Sequence, residues 1–480
     1  MTLPRSLRAL RPKTRPTASC RSSCSISRHL TTTPNFYHNR VLEQYAAQET
    51  RRVTLRQLTV FGRTLSEDKL LKSANYVRAE LPVRLAHRIF DFQHLPFIVG
   101  TNPHIEHVYN LYWAAFETFK AIPPIKTLEQ NRDFCETLEH MLNAHLVAIP
   151  RLAMGIAESS LHLNPREADR FMNEMLRSRI GRRVLAEQHI TLSHVFDGRE
   201  SQDESFIGIV NTKCRAVDVV NKCAAIVGRV FEDGFGIKPP EVHVDGHLDA
   251  TFTYIPDQIE YIVFELLKNS MWATLDKHAP HVLKKAPQSV AEEKVAEKST
   301  IQRIGEAWDA NARLRTTHSP GGTDHMTPTA DDIHPSITST SSLSPSSSSS
   351  PAMTTSLSTP TLPPIRATIG AASSLLTFRI SDQGGGIPAS TLPYLYSYSH
   401  PSKRKFLNFA HVPRLAAKVE EAEHHIVPPS LKLGLGLPMS KVYANYWGGD
   451  IEVITLDGYG TDAYVGLKVG NQVENLTYTA

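Results

Sequence analysis

Glu265 and Asn269 stand four residues apart in the stretch FELLKNSMWAT, Phe264 to Thr274. Helix propensity through Glu265, Leu266, Leu267 and Lys268 predicts a helix, and at 3.6 residues per turn both side chains fall on one face. A carboxylate so placed can take or orient a proton. An amide oxygen one turn on can hold a hard cation such as Mg²⁺. Taken alone, the stretch is more readily an ordinary amphipathic helix with a solvated Glu and Lys than a reaction centre.

Three glycine-bearing segments follow. In FRISDQGGGIP, Phe378 to Pro388, Leu376, Phe378 and Ile380 alternate with Thr377 and Arg379, which predicts a strand delivering Asp382 to a turn with Gly384, Gly385 and Gly386. Glycines there can take positive φ and let backbone approach a ligand, and a carboxylate at a strand end can accept from an amino group such as that of adenine. In LKLGLGLPMSKVYANYWGGD, Leu431 to Asp450, Gly434 and Gly436 precede Pro438, which suits the first turn of a helix running to about Tyr446. A glycine loop feeding a helix N-terminus is an anion site. In DGYGTDAYVGLKV, Asp457 to Val469, a turn with Gly460 and Thr461 leads into an alternating strand. Each segment alone is equally a structural turn.

In order, a helix with Glu and Asn, then D-x-G-x-G, then G-x-G-L before a helix, then G-T before a strand resembles the GHKL (Bergerat) ATP-binding fold. The superfamily includes sensor histidine kinases, Hsp90-type chaperones, type II topoisomerases, MutL proteins and mitochondrial 2-oxo acid dehydrogenase kinases. The resemblance implies that Asn269 is the Mg²⁺ ligand, that Asp382 reads the adenine amino group, and that the loop around Gly434 and Gly436 is a lid over the phosphates. It also sets Ala273, Gly384, Gly386, Leu437 and Thr461 around the nucleotide. Two segments in the amino-terminal half, Glu80 to Phe116 and RSRIGRRVLAEQHI from Arg177 to Ile190, resemble the helical domain of the mitochondrial pyruvate and branched-chain 2-oxo acid dehydrogenase kinases. LPVRLAHRI, LPFIVGTNP and Tyr261 lean toward the branched-chain branch. The resemblance runs from about Thr54 to Val469 apart from one insert.

The implied architecture is α+β: an N-terminal antiparallel helical bundle over 54–200, for regulation and docking, and a C-terminal GHKL α/β-sandwich ATP-binding domain over 205–470. The implied activity is a protein-serine kinase using ATP and Mg²⁺, with Glu265 and Lys268 as its catalytic groups. Its substrate would be the decarboxylase subunit of a 2-oxo acid dehydrogenase complex. The lipoyl-bearing core of that complex and a second copy of the chain are the other implied partners.

Four departures from the family pattern stand out. Trp272 occupies a position, near the Glu265 face, where Arg is usual, and indole cannot replace guanidinium at a phosphate. Lys432 stands where the family lid has a further glycine, and Gln383 where Arg is usual. The tail NQVENLTYTA carries no Trp, so the Asp-Trp docking tail of pyruvate dehydrogenase kinases is not carried over.

Composition sets the remaining bounds. With 480 residues there is room for two cores, and a net charge of +4 leaves no nucleic-acid footprint. Eight basic residues from Arg5 to Arg40 precede the first acid, Glu43, among many Ser and Thr. That pattern over 1–40 predicts a mitochondrial transit peptide, cleaved near Arg28 to Thr33, and a matrix protein. Cys20, Cys24, Cys135, Cys214 and Cys223 show no metal spacing, and no apolar run is long enough to span a bilayer. From Leu55 to His194 apolar residues recur at helical spacing, as at Leu138, Met141, Leu142 and Leu146, punctuated by prolines at 82, 96, 103, 123, 124, 150 and 165. Short strands and helices then alternate, with Val242 and Val244 marking a strand. The insert over 279–364 has a charged helical run, Lys284 to Lys298. It ends in a Ser, Thr and Pro-rich segment, Ser336 to Pro360, predicted to be disordered. Two rival functions remain open from the residues. One is a histidine kinase phosphorylated on His87, and the other is a non-catalytic ATP-binding regulator.

Overall fold

Capping signals define the amino-terminal helices. Thr54 and Gln57 form a reciprocal capping box on α2 (Leu55–Gly62), and Ser66 and Thr127 cap α3 (Glu67–Gln93) and α6 (Leu128–Ala144). Asn102–Pro103 and Asn164–Pro165 open α5 (Pro103–Ala121) and α8 (Pro165–Phe196), with Asn as the cap and Pro at the first helical position. Shorter helices complete the set: α1 (Arg40–Ala46), α4 (Phe97–Gly100) and α7 (Ala148–Glu158). The computed structural model describes residues 39–199, 203–285, 361–399, 434–470 and 472–476. The basic segment up to His38, the charged run beyond Lys285, the Ser-rich segment and Lys432 lie outside the described residues. Arg40, at the end of the predicted presequence, begins α1, capped by Asn39.

Helix α3 packs against α1, α5, α6 and α8, and α5 packs on α7. One of the expected proline breaks does not occur. Pro150 marks the first turn of α7, where an N–H is unpaired anyway, but Pro82 lies inside α3. An interior proline costs about 3 kcal/mol. Burial of Val77, Leu81, Leu85, Ala86 and Ile89 along α3 offsets it. Leu146, expected on a helical apolar face, lies on a 3₁₀ turn (His145–Val147) and is exposed. Among the described residues no helix is long and apolar enough to cross a membrane.

Strands begin after α8. A three-stranded antiparallel sheet has the order β1-β2-β4 (Phe206–Ile207, Val210–Arg215, Thr251–Tyr254). The larger sheet has the order β3-β5-β6-β8-β7, using β3 (Val242–Gly246), β5 (Ile365–Ala371), β6 (Leu375–Ser381), β7 (Asp450–Leu456) and β8 (Gly460–Lys468). Only β3 and β5 run parallel; the other pairs are antiparallel. Helices α9 (Ala216–Phe235), α10 (Pro256–His278) and α12 (Gly436–Tyr446) pack against this sheet, with α11 (Pro280–Lys285) extending α10. Leu376, Phe378 and Ile380 are buried at alternate positions of β6, as the sequence pattern predicts. The whole is an α+β arrangement, helices first and sheets after.

The segment 472–475 returns to the bundle. Glu474 N donates to the Val53 carbonyl at 3.0 Å, Leu55 N to that of Gln472 at 3.1 Å, and Asn475 N to that of Tyr446 at 2.8 Å. Arg84 on α3 meets Glu474 through two nitrogens at 2.6 and 2.9 Å and Glu80 at 3.0 Å, all three residues being buried. Tyr446 Oη also donates to Glu474. Burial works against the charge on Arg84, and facing Glu474 more than reverses this, raising the guanidinium above its ordinary value. Removing one member of such a pair strands the other in the interior. We expect Glu474→Ala to lower the unfolding free energy by about 3–5 kcal/mol in urea titrations.

Candidate active site

Helix α10 starts at Pro256, where the missing N–H is harmless, and Trp447 Nε1 pins its first turn by donating to Gln258 Oε1 at 2.8 Å. Ile259, Ile262, Leu266, Met271 and Leu275 are buried, so the helix is fixed by packing and its polar side chains are held at a defined height. Two clusters form along it.

The first surrounds Glu265, which is 8% exposed. Lys268 Nζ donates to its Oε2 at 2.5 Å. Gly436, the first residue of α12, lies over the same oxygen so closely that a Cβ there would fall 1.9 Å from it. Tyr261, one turn earlier, donates to Met439 Sδ at 3.5 Å and packs its ring 5.0 Å from that of Tyr443. Asn269 is exposed on the following turn. Gly434 has φ +65°, and Leu437 is partly buried against the core.

The second cluster surrounds Asp382, which leaves β6 7% exposed. Its Oδ1 accepts from Gly384 N at 2.9 Å and Thr461 N at 3.2 Å, and its Oδ2 accepts from Ser270 Oγ at 2.9 Å. Asp382 and Thr461 also pair through their backbones. Gly384 abuts Ala273, where a Cβ would come within 2.5 Å of the alanine methyl. Gly386, with φ +79°, lies against the β7 end instead, where a Cβ would approach the Leu456 carbonyl to 2.4 Å. Burial pushes the Asp382 carboxyl above its usual range, against the three hydrogen bonds that favour its charge.

Glu265, Lys268 and Gly436 are thus gathered together, as are Asp382, Gly384, Ala273 and Thr461. Ser270 was not anticipated. The signal for it was a hydroxyl on the Leu266–Ser270–Thr274 stripe, an inward-facing row where a polar atom requires a partner. Trp272, expected near the Glu265 face, is turned to α9: its indole meets Phe231 and Phe235 edge-on at 5.5 and 5.1 Å. A cavity among the bundle helices, lined in part by Leu85, Phe119, Leu142, His145 and Arg182, includes none of these residues.

A family model described as "Mitochondrial branched-chain alpha-ketoacid dehydrogenase kinase" matches residues 52–211. The chain is 27% identical over 469 residues to "[Pyruvate dehydrogenase (acetyl-transferring)] kinase 2, mitochondrial" of Saccharomyces cerevisiae, covering 92% of this chain and 86% of that protein. It is 26% identical over 431 residues to "[Pyruvate dehydrogenase (acetyl-transferring)] kinase, mitochondrial" of Arabidopsis thaliana, covering 88% and 92%. The chain is similar to mitochondrial 2-oxo acid dehydrogenase kinases. The family model covers the helical half of the chain, whereas the similarity to these two curated kinases covers 92% and 88% of it.

Two outcomes follow from the geometry. Gly436→Ala must displace Glu265 or the start of α12, and we expect it to cut turnover at least tenfold with little change in thermal unfolding. Asp382 has a raised pKa when folded, so its stabilising contribution is complete below the unfolded-state pKa and is lost as pH rises through the folded value. Asp382→Asn lacks that loss. Thermal unfolding should therefore show the variant gaining on the wild type from acid to neutral pH.

Proposed function

We propose that the chain is a mitochondrial protein-serine kinase. It transfers a phosphoryl group from MgATP to a serine hydroxyl on the decarboxylase subunit of a 2-oxo acid dehydrogenase complex, pyruvate or branched-chain, and so inactivates it. The observation that carries this reading is the juxtaposition on α10: Glu265 beneath Gly436, and one to two turns further on, Ser270 and Ala273 against Asp382 and Gly384. A sheet backed by α9, α10 and α12 supports the GHKL fold. Kinase names among the relatives support ATP as the phosphoryl donor and mitochondria as the location.

The residues present fit MgATP. Among the described residues no three His, Cys, Asp or Glu side chains gather into a metal cage. Asn269 instead offers one exposed amide oxygen, which suits an ion that keeps waters and phosphate oxygens as its other ligands. When bound, Mg²⁺ neutralises charge on the phosphate oxygens. Asp382 accepts from the adenine amino group, and Gly384 packs directly on Ala273 beside it, where a side chain would clash with the alanine. Gly434 and Gly436 let backbone N–H groups approach the phosphates. Glu265 orients the incoming serine hydroxyl and accepts its proton, with Lys268 fixing the carboxylate in place. The helical domain would bind the lipoyl-bearing core, and two copies of the chain would pair.

His87 Nε2 is engaged with the Gln48 carbonyl at 2.8 Å in an exposed contact. Acid-stable phosphoserine on a partner, not acid-labile phosphate on His87, is therefore expected. Single-turnover assays with purified pyruvate and branched-chain decarboxylase subunits test the reading and identify the substrate. Glu265→Gln should keep ATP affinity and lose about 10²–10⁴-fold in transfer rate. Asn269→Ala should abolish metal-dependent turnover. Wild-type ATP binding without transfer to either subunit would leave a non-catalytic regulator.

A further inference from the structure

The Asp382 carboxylate is held at three points before any ligand arrives. Oδ1 accepts two backbone N–H groups, from Gly384 and Thr461, which fill its two lone pairs. Oδ2 accepts from Ser270 Oγ at 2.9 Å, which leaves it one lone pair. Ser270 is itself 5% exposed, on a helix turn where the buried Thr274 hydroxyl donates back to the Ser270 carbonyl at 2.7 Å.

We propose that Ser270 is a positioning residue for base selection. By occupying one side of Asp382 Oδ2 it leaves a single acceptor direction, open to a purine 6-amino group and repelling a 6-oxo group. The proposal rests on the kinase reading above and adds a determinant of nucleotide choice to it. Two N–H bonds on Oδ1 fix that oxygen but leave the carboxylate able to pivot about it. The Ser270 hydroxyl supplies the third point. Without it, Oδ2 regains a second lone pair that water can fill, and the carboxylate can rock away from the base. A 6-amino group, which needs the fixed acceptor, then loses affinity. A 6-oxo group, which gained nothing from the acceptor, loses little.

A hydroxyl that merely satisfied a buried oxygen would change stability and leave selectivity alone. The experiment therefore measures dissociation constants of MgATP and MgITP by calorimetry on the full chain, with KM and kcat for ATP at saturating acceptor. For Ser270→Ala we expect the ATP/ITP affinity ratio to fall about tenfold, in keeping with loss of a hydrogen bond to a charged group, through weaker ATP binding. KM for ATP should rise, with kcat within about twofold of wild type. Ser270→Cys, similar in size with a weak S–H donor, should fall between the two and keeps the test open if the alanine variant does not fold. Asp382→Asn provides the reference: its Nδ2 can donate to both Ser270 Oγ and a 6-oxo group, so preference should turn toward ITP. An unchanged ratio in both Ser270 variants, with ATP preference lost in Asp382→Asn, overturns the role of Ser270 and leaves the kinase reading standing. Failure of the wild type to bind either nucleotide overturns both.

Discussion

Close backbone approach is the constraint on which the site depends. Two carboxylates, Glu265 and Asp382, are held almost out of water, and burying a carboxylate is costly unless it is hydrogen-bonded. Asp382 receives donors from two strand-end backbones and one helix, which is possible because Gly384 and Gly460 carry no side chain where the chains meet. A Cβ at Gly460 would lie 2.0 Å from the Asp382 carbonyl. Gly436 does the same for Glu265. The glycines that mark the motifs in the sequence are therefore required by contact inside the protein, before any phosphate or base is considered.

The same logic gives α12 its importance. Its first residue lies on Glu265, and its last, Tyr446, is bonded to Glu474 and stacked edge-on against Trp447. Glu474 in turn holds Arg84 of the bundle. An 11-residue helix thus spans from a buried ion pair to the candidate catalytic carboxylate, fixed at both ends. A buried pair adds little net stability over apolar residues of similar volume, but it is specific in a way that apolar packing is not. Here it sets the height of α12 relative to α3.

Much of this was legible from residue types and spacing. Alternation in β6, the Pro438 helix start and the glycine turns each follow from local backbone rules, and so each appears where the sequence puts it. Helix breaks were less legible. Pro82 looks like an end signal, but the buried apolar residues on both sides of it outweigh one lost hydrogen bond. The return of 472–475 to the bundle was not legible at all, because its partners Val53, Leu55 and Arg84 are hundreds of residues away and no local pattern encodes them. Ser270 was readable in principle from its inward stripe, but only the fold brings the strand-end Asp382, 112 positions away, against it.

Trp272 shows how a departure from a family pattern can be settled by packing. Its ring fills a space between Phe231 and Phe235, and edge-on aromatic pairs of this kind contribute about 0.5–1.5 kcal/mol each beyond area burial. A guanidinium at that position would have to be drawn out from between two rings to reach a phosphate. The indole has no such pull and settles into α9. Lys268 does not replace the missing charge, because its ammonium is engaged by Glu265 at 2.5 Å. On the kinase reading, neutralisation of the phosphates then falls more heavily on the metal held at Asn269 and on backbone N–H groups at the start of α12. Transfer by this chain should accordingly depend more steeply on Mg²⁺ than transfer by a relative carrying Arg at the Trp272 position. A metal titration at fixed ATP compares the two directly.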